Sequence, residues 1–410
     1  MRILFFAVPY RGHLTPNIPL LKILLEKGHH VTVVGGGEYL RKKIAGTHLN
    51  LIELPEYLKD AYRIKAEPGL DSRVAARNFF SYIYEEEQIS RQEQYIYSLQ
   101  GRFFADYMRY AGERGPELIF YDTYAFYCIK VLEGLSIPAV QINSAVWEPE
   151  KYFLLNSWKE YIETVVLPEV PDAPTPDQMM CAAGKRLRAA GRRRIHMKNN
   201  SLFFAYHSPG LQNSREALDD KFQYLGFGGG MELYPGEKKE SIYVSRGTMA
   251  DGYDFHLLRQ TIEGLSKVGW DIHVSAGGSQ IAAERLNSGS ADENVHICKF
   301  CDQAAMLRTA GAFVCHGGIS GVREAIFCET PILVIPANFQ DYQVGKALEK
   351  AGAGMMLAER PLTAAAVKEK WELFRESCGS LRCGIRKLKR EMRTLWETAG
   401  VGRLCDLLRL

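Results

Sequence analysis

Between Phe300 and Asp341 the chain sets out groups that suit a nucleoside diphosphate. Phe300 and Gln303 stand ahead of an apolar strand, Ala312–Cys315, and His316-Gly-Gly-Ile-Ser-Gly-Val-Arg-Glu324 then turns from that strand into a helix. The free N–H groups and positive dipole end of such a helix form a seat for phosphate, and the glycines permit the tight turn. Glu324 follows His316 by eight residues, about two helical turns, and so returns to roughly the same face, where a carboxylate can accept bonds from ribose hydroxyls. One glycine turn alone is weak evidence; several elements in register are not easily produced by chance.

A second candidate lies near the start of the chain. Gly12-His13-Leu-Thr-Pro16 follows the apolar run Ile3–Val8, and a loop histidine at the carboxyl end of a parallel strand would face a binding cleft. Pro116-Glu-Leu-Ile-Phe-Tyr-Asp122 likewise ends an apolar run with a carboxylate.

The elements that must hold these groups are parallel strands with helical crossovers. Ile3–Val8 and His30–Val34 flank a helical pattern, Ile18–Glu26, closed by Lys27-Gly28, which is a βαβ unit. Further strands are expected at Leu118–Tyr121, Ala139–Ile142, Leu202–Tyr206 and Phe222–Gly226. Pro235-Gly236-Glu-Lys-Lys-Glu240 is a polar break, after which strands Ser241–Ser245 and Asp271–Ser275 and the helix His256–Lys267 begin a second sheet. Residues 56–110 are poorly periodic and rich in Tyr and Phe, a candidate acceptor wall. The triple glycine at 35–37 follows the second strand, so a nicotinamide or flavin fingerprint is not expected there.

The segment from Phe300 to Asp341 resembles the donor-binding signature of the family 1 UDP-glycosyltransferases, especially the bacterial macrolide-type and natural-product enzymes. The resemblance implies the GT-B fold: two Rossmann-like, doubly wound parallel-sheet domains facing across a cleft. It implies that Phe300 packs on the nucleobase, that the backbone of Cys301 reads its edge, and that Gln303 contacts base and ribose. His316 matches the diphosphate histidine, with Gly318, Ser320 and Gly321 in the turn, and Glu324 matches the ribose glutamate. Ser245-Arg-Gly-Thr248 resembles the family's Ser-Leu-Gly-Thr, placing Ser245 and Thr248 near the leaving group, while Arg246 stands where an apolar residue is usual. Two further departures are Ser320-Gly321 for the usual Asn-Ser, and Gln340-Asp341 for the usual Asp-Gln sugar pair. Gly12-His13 resembles the family's catalytic histidine motif, which makes His13 the base and Asp122 its partner.

Length and composition agree with that architecture. The 410 residues suit two domains, with the boundaries expected at 1–228 for the acceptor domain, 229–240 for a linker, 241–398 for the donor domain and 399–410 for a last helix packing back on the first domain. With 24% charged residues, 46% hydrophobic residues and a net charge of +3, nothing points to nucleic acid, and the basic cluster at 185–194 reads as a solvated helix face. The nine cysteines show no metal-ligand spacing, and reduced thiols in a cytoplasmic protein are expected. The N-terminal apolar run is too short for a membrane span.

The expectation from the sequence is therefore an inverting, metal-independent glycosyltransferase. It moves a hexose from a UDP- or dTDP-sugar to a hydroxyl of a small hydrophobic acceptor, as a monomer or homodimer, with no cofactor, no membrane and no nucleic-acid partner. The alternatives are a nucleotide-sugar epimerase or hydrolase on the same fold, or a catalytically silent nucleotide-sugar-binding homologue.

Overall fold

The structure is a computed structural model. It describes residues 1–9, 11–62, 98–107, 115–123, 125–135, 137–143, 156–169, 200–213, 222–228, 233–247, 252–277 and 292–400, with isolated positions at 175, 177–178, 215, 283–284, 286, 402 and 406. The basic cluster at 185–194, Thr248 and most of the candidate acceptor wall lie outside the described residues.

Two all-parallel sheets organise the chain. The first comprises β1 (Arg2–Phe6), β2 (His30–Gly35), β3 (Asn50–Glu53), β4 (Leu118–Asp122), β5 (Ala139–Asn143), β6 (Asn200–Ala205) and β7 (Phe222–Tyr224). Their order is β3-β2-β1-β4-β5-β6-β7. The second comprises β8 (Lys239–Ser245), β9 (Asp271–Ser275), β10 (Val295–Cys298), β11 (Ala310–Cys315), β12 (Ile332–Val334) and β13 (Gly354–Met356), ordered β10-β9-β8-β11-β12-β13. Strands buried on both faces need continuous apolar runs, and β4, β5 and β11 are buried along their whole length. In both sheets the order reverses direction beside the first strand, between β1 and β4 and between β8 and β11. Such switch points open a crevice at the carboxyl ends of the strands, where ligands bind in open α/β sheets.

Five helices matter for that crevice: α1 (Arg11–Glu26), α2 (Gln303–Thr309), α3 (Ile319–Phe327), α4 (Phe339–Lys350) and α5 (Ala364–Thr394). The helix expected from Ile18 begins instead at Arg11. Gly28 closes it at φ 83°, with the N–H of His29 donating to Leu24 O and that of Gly28 to Leu25 O, the glycine-terminated end the sequence suggests.

α5 carries a buried stripe, Val367, Trp371, Phe374, Cys378, Leu381, Ile385, Leu388 and Met392, at alternating spacings of four and three residues that keep one face inward. Its N-terminal half packs into the second domain's core. Farther along, the N–H of Phe227 donates to Met392 O, and Trp396 packs against Tyr206 and the first domain's core. The return to the first domain thus runs through 388–396; of the 399–410 segment expected to make it, only residues 399, 400, 402 and 406 are described. Gly226 and Gly228 admit this crossing, because a Cβ on Gly226 would come within 2.2 Å of Met392 O and one on Gly228 within 2.4 Å of the Trp396 ring. No described helix is long and apolar enough to cross a membrane.

Candidate active site

His13 sits in the first turn of α1, not in a loop as the sequence suggests, and the turn follows β1 at the switch point of the first sheet. Asp122 is the last residue of β4, the neighbouring strand. The two meet across 109 residues of sequence: His13 Nδ1 lies 3.1 and 3.0 Å from the two Asp122 carboxylate oxygens. Asp122 is 1% exposed and His13 21%, so the carboxylate is hidden while the imidazole reaches the crevice. A carboxylate only accepts, which assigns the proton to Nδ1 and leaves the Nε2 lone pair as the basic site.

Proline shapes the same turn. Pro16 has no N–H to give to Gly12 O, the acceptor it would use in an ordinary helix. Ser320 Oγ, from the other domain, donates to that carbonyl at 2.9 Å instead. The side-chain amide of Asn17 donates to His13 O at 2.6 Å.

The second half of the crevice is built on β8 and β11. Their register pairs Ser245 with Cys315, so the turns after these strands lie side by side. Ser245 Oγ accepts the N–H of Gly247 at 3.3 Å. Gly317 at φ 107° and Gly318 then lead into α3. The first bond within α3 runs from Val322 N–H to Gly318 O at 3.1 Å, so the amides of Ile319, Ser320 and Gly321 have no acceptor in the helix. The His316 ring occupies the space above two glycines. A Cβ on Gly318 would come within 2.5 Å of His316 Nε2, and one on Gly247 within 2.8 Å of Cε1, while the buried Nδ1 has no hydrogen-bond partner. Burial pushes the neighbouring Cys315 thiol up to about 12, so it stays neutral.

Gln303 and Glu324 lie side by side at the start of α2 and within α3. Gln303 Nε2 donates to Glu324 Oε2 at 2.7 Å, and Tyr243 Oη donates to Gln303 Oε1 at 3.5 Å, with Tyr243 stacked on Phe313. Phe300 is 52% exposed. Asp302 caps α2 by accepting the N–H of Ala305.

One expectation needs correction. Cys301 forms a disulfide with Cys298, whereas reduced thiols were expected throughout; the chain folds back after β10, bringing the two Cα atoms to 6.4 Å. Arg246 is buried and donates to Ile335 O, which ties it to the backbone ahead of α4. Gln340 is exposed, but Asp341 is buried, its Oδ2 accepting from Ala337 N–H at 3.3 Å while its own N–H donates to Asn338 Oδ1 at 3.0 Å. Asn338 is thus the N-cap of α4, and Asp341 ties the residue before it. Asn17, Tyr206 and Arg323 were not singled out from the sequence, yet they join the His13 turn to α3; their only sequence signal is a charge within an apolar helix. Among the described residues no three His, Cys, Asp or Glu side chains gather as a metal site.

Residues 260–377 match the model of the glycosyltransferase family 28 C-terminal domain. The chain is 22% identical over 389 residues to an uncharacterised UDP-glucosyltransferase of Bacillus subtilis, YojK, covering 90% of this chain and 87% of that protein. Among solved structures, the glycosyltransferase of kitacinnamycin superposes with a TM-score of 0.68 at 19% identity, covering 100% of this chain and 98% of that one. The spinosyn rhamnosyltransferase SpnG, in complex with thymidine diphosphate, does so with a TM-score of 0.64 at 17% identity, covering both chains fully. Two parallel Rossmann-like sheets in the GT-B arrangement, the family 28 C-terminal-domain match within the second sheet and relatives named as glycosyltransferases along nearly the whole chain mark it as a glycosyltransferase of GT-B fold, similar to the UDP-glucosyltransferases.

Proposed function

We propose that this glycosyltransferase moves a hexose, with inversion, from a UDP- or dTDP-sugar to a hydroxyl of a small hydrophobic acceptor. Residues 1–228 bind the acceptor and 241–398 the donor. The observation that carries the reading is the His13–Asp122 pair, with its shortest contact at 3.0 Å, at the switch point facing the α3 N-terminus. His13 Nε2 takes the acceptor's hydroxyl proton as the oxygen attacks the anomeric carbon. The bond from that carbon to the diphosphate oxygen breaks, and the leaving group keeps the electron pair. Asp122 stabilises the imidazolium that forms. A single displacement by an oxygen of the acceptor inverts the anomeric centre.

The donor's diphosphate sits at the amides of Ile319–Gly321 beside His316, where helix dipole and N–H groups receive the growing charge without a divalent ion. Gln303 and Glu324 hold the ribose, Phe300 the base, and the exposed Gln340 reaches the sugar. Thymidine diphosphate is bound by SpnG, and YojK is named for UDP-glucose chemistry, so both nucleotides are reasonable donors. Similar structures are named for kitacinnamycin and spinosyn, and SpnG is also known in complex with spinosyn aglycone, which supports an aglycone acceptor.

The test is a panel of UDP- and dTDP-sugars against lipophilic phenols and macrolactones, read by mass spectrometry with and without EDTA. Transfer that survives chelation is expected. Strict dependence on magnesium or manganese would remove the metal-free mechanism, and donor cleavage without any transfer would replace it with hydrolysis.

A further inference from the structure

Arg323 is 1% exposed, in the middle of the apolar helix α3. Its Nη1 donates to Tyr206 O at 3.0 Å and its Nη2 to Ser320 Oγ at 3.2 Å, while the guanidinium lies over the Phe227 ring at 5.2 Å. Nε is buried with no partner. Burial pulls its pKa down to about 10, so it remains charged at neutral pH. Such a charge is costly to bury, and an apolar residue would pack α3 more cheaply.

Its bonds lead to the base by two routes. Through Ser320 it reaches Gly12 O, the carbonyl freed by Pro16 and the residue next to His13. Through Tyr206 it reaches Asn17 Oδ1, which accepts from Tyr206 Oη at 2.8 Å, and Asn17 in turn holds His13 O. Both routes cross from the donor helix to the catalytic turn. We propose that Arg323 is a positioning residue that fixes the His13 turn against the donor-binding helix, setting the distance between base and anomeric carbon. The proposal rests on the reading of His13 as base.

The test is a double-mutant cycle on the full chain: wild type, Arg323→Met, His13→Ala and the double variant. Transfer rates at saturating donor are measured with whichever of UDP-glucose and dTDP-glucose the wild type uses, and UDP or dTDP affinity by calorimetry. Arg323→Met is expected to lower kcat about 10- to 50-fold with nucleotide affinity within about 3-fold, and the double variant to be no slower than His13→Ala alone. An equal proportional loss in both backgrounds would overturn the proposal, since a charge acting directly on the diphosphate or a general packing defect gives that result. So would a wild-type kcat in Arg323→Met. A wild-type rate in His13→Ala overturns the base assignment and this proposal with it, and is distinguishable because it appears in the single variant. If Arg323→Met does not melt cooperatively, Arg323→Lys takes its place. An ammonium keeps the charge but presents no fork to span Tyr206 O and Ser320 Oγ, so a loss of about 3- to 10-fold confined to the His13 background is expected, and a wild-type rate overturns the proposal.

Discussion

The two halves of the crevice are made of different materials. The first domain offers two side chains 109 residues apart in sequence, His13 in the first turn of α1 after β1 and Asp122 at the end of the neighbouring strand β4. The second offers mainly backbone: the open amides of α3, a turn that only glycine fits around His316, and one side-chain pair, Gln303 and Glu324. A side-chain device performs a proton transfer and can be removed by one substitution. A backbone device binds charge and is resistant to substitution except where a Cβ intrudes. The proposed function gives the chemistry to the first half and donor affinity to the second, and mutants should separate along that line.

The largest expected effect is on His13→Ala, whose transfer rate should fall by about two to four orders of magnitude. Asp122→Asn should cost about one to two orders, because the amide still fills the site but no longer offsets the imidazolium charge. Steady-state rates at saturating donor check both. On the other side of the crevice, His316→Ala and Glu324→Ala should weaken UDP or dTDP binding by about 5- to 30-fold while sparing kcat at saturating donor. Calorimetry showing wild-type affinity in both would remove the donor seat from this place.

The smallest effect concerns stability. His207 is fully buried after β6, and burial drops its pKa from 6.5 to about 4. The unfolded chain therefore holds the extra proton between about pH 4 and 6.5, and folding stability should rise with pH across that window and fall as the pH drops through it. His207→Phe should flatten this acid limb by roughly 1–3 kcal/mol in denaturant melts at pH 4.5 against pH 7, if the ring packs without strain. An unchanged slope would place the acid sensitivity elsewhere.

The same contrast explains what could be read before the fold was known. The donor half is contiguous, and glycine, histidine and glutamate at fixed offsets on a strand–turn–helix leave their geometry in the sequence. The strands Asp271–Ser275 and Ala139–Asn143 were legible for a similar reason, as short segments with β-branched residues at alternate positions, Ile272 and Val274, Val140 and Ile142. The His13–Asp122 pair was legible only through family resemblance, since no local rule joins residues so far apart. The helical start at Arg11 was hidden because Pro16 and Pro19 interrupt the pattern that marks helix. α5 was missed although its four-three spacing of apolar residues is regular, and the Cys298–Cys301 disulfide was missed because two cysteines three apart carry no pairing signal without the turn between them. The Arg323 connections depend on two domains meeting, which no stretch of sequence displays.

The central claim is that base and donor seat are separate devices on separate domains. Calorimetric titration of UDP or dTDP into His13→Ala, on a preparation whose transfer rate has collapsed, tests it most directly. The expected result is an affinity within about 3-fold of wild type. A loss of about tenfold or more, in step with the loss of rate, would contradict the claim by showing that His13 belongs to the donor seat.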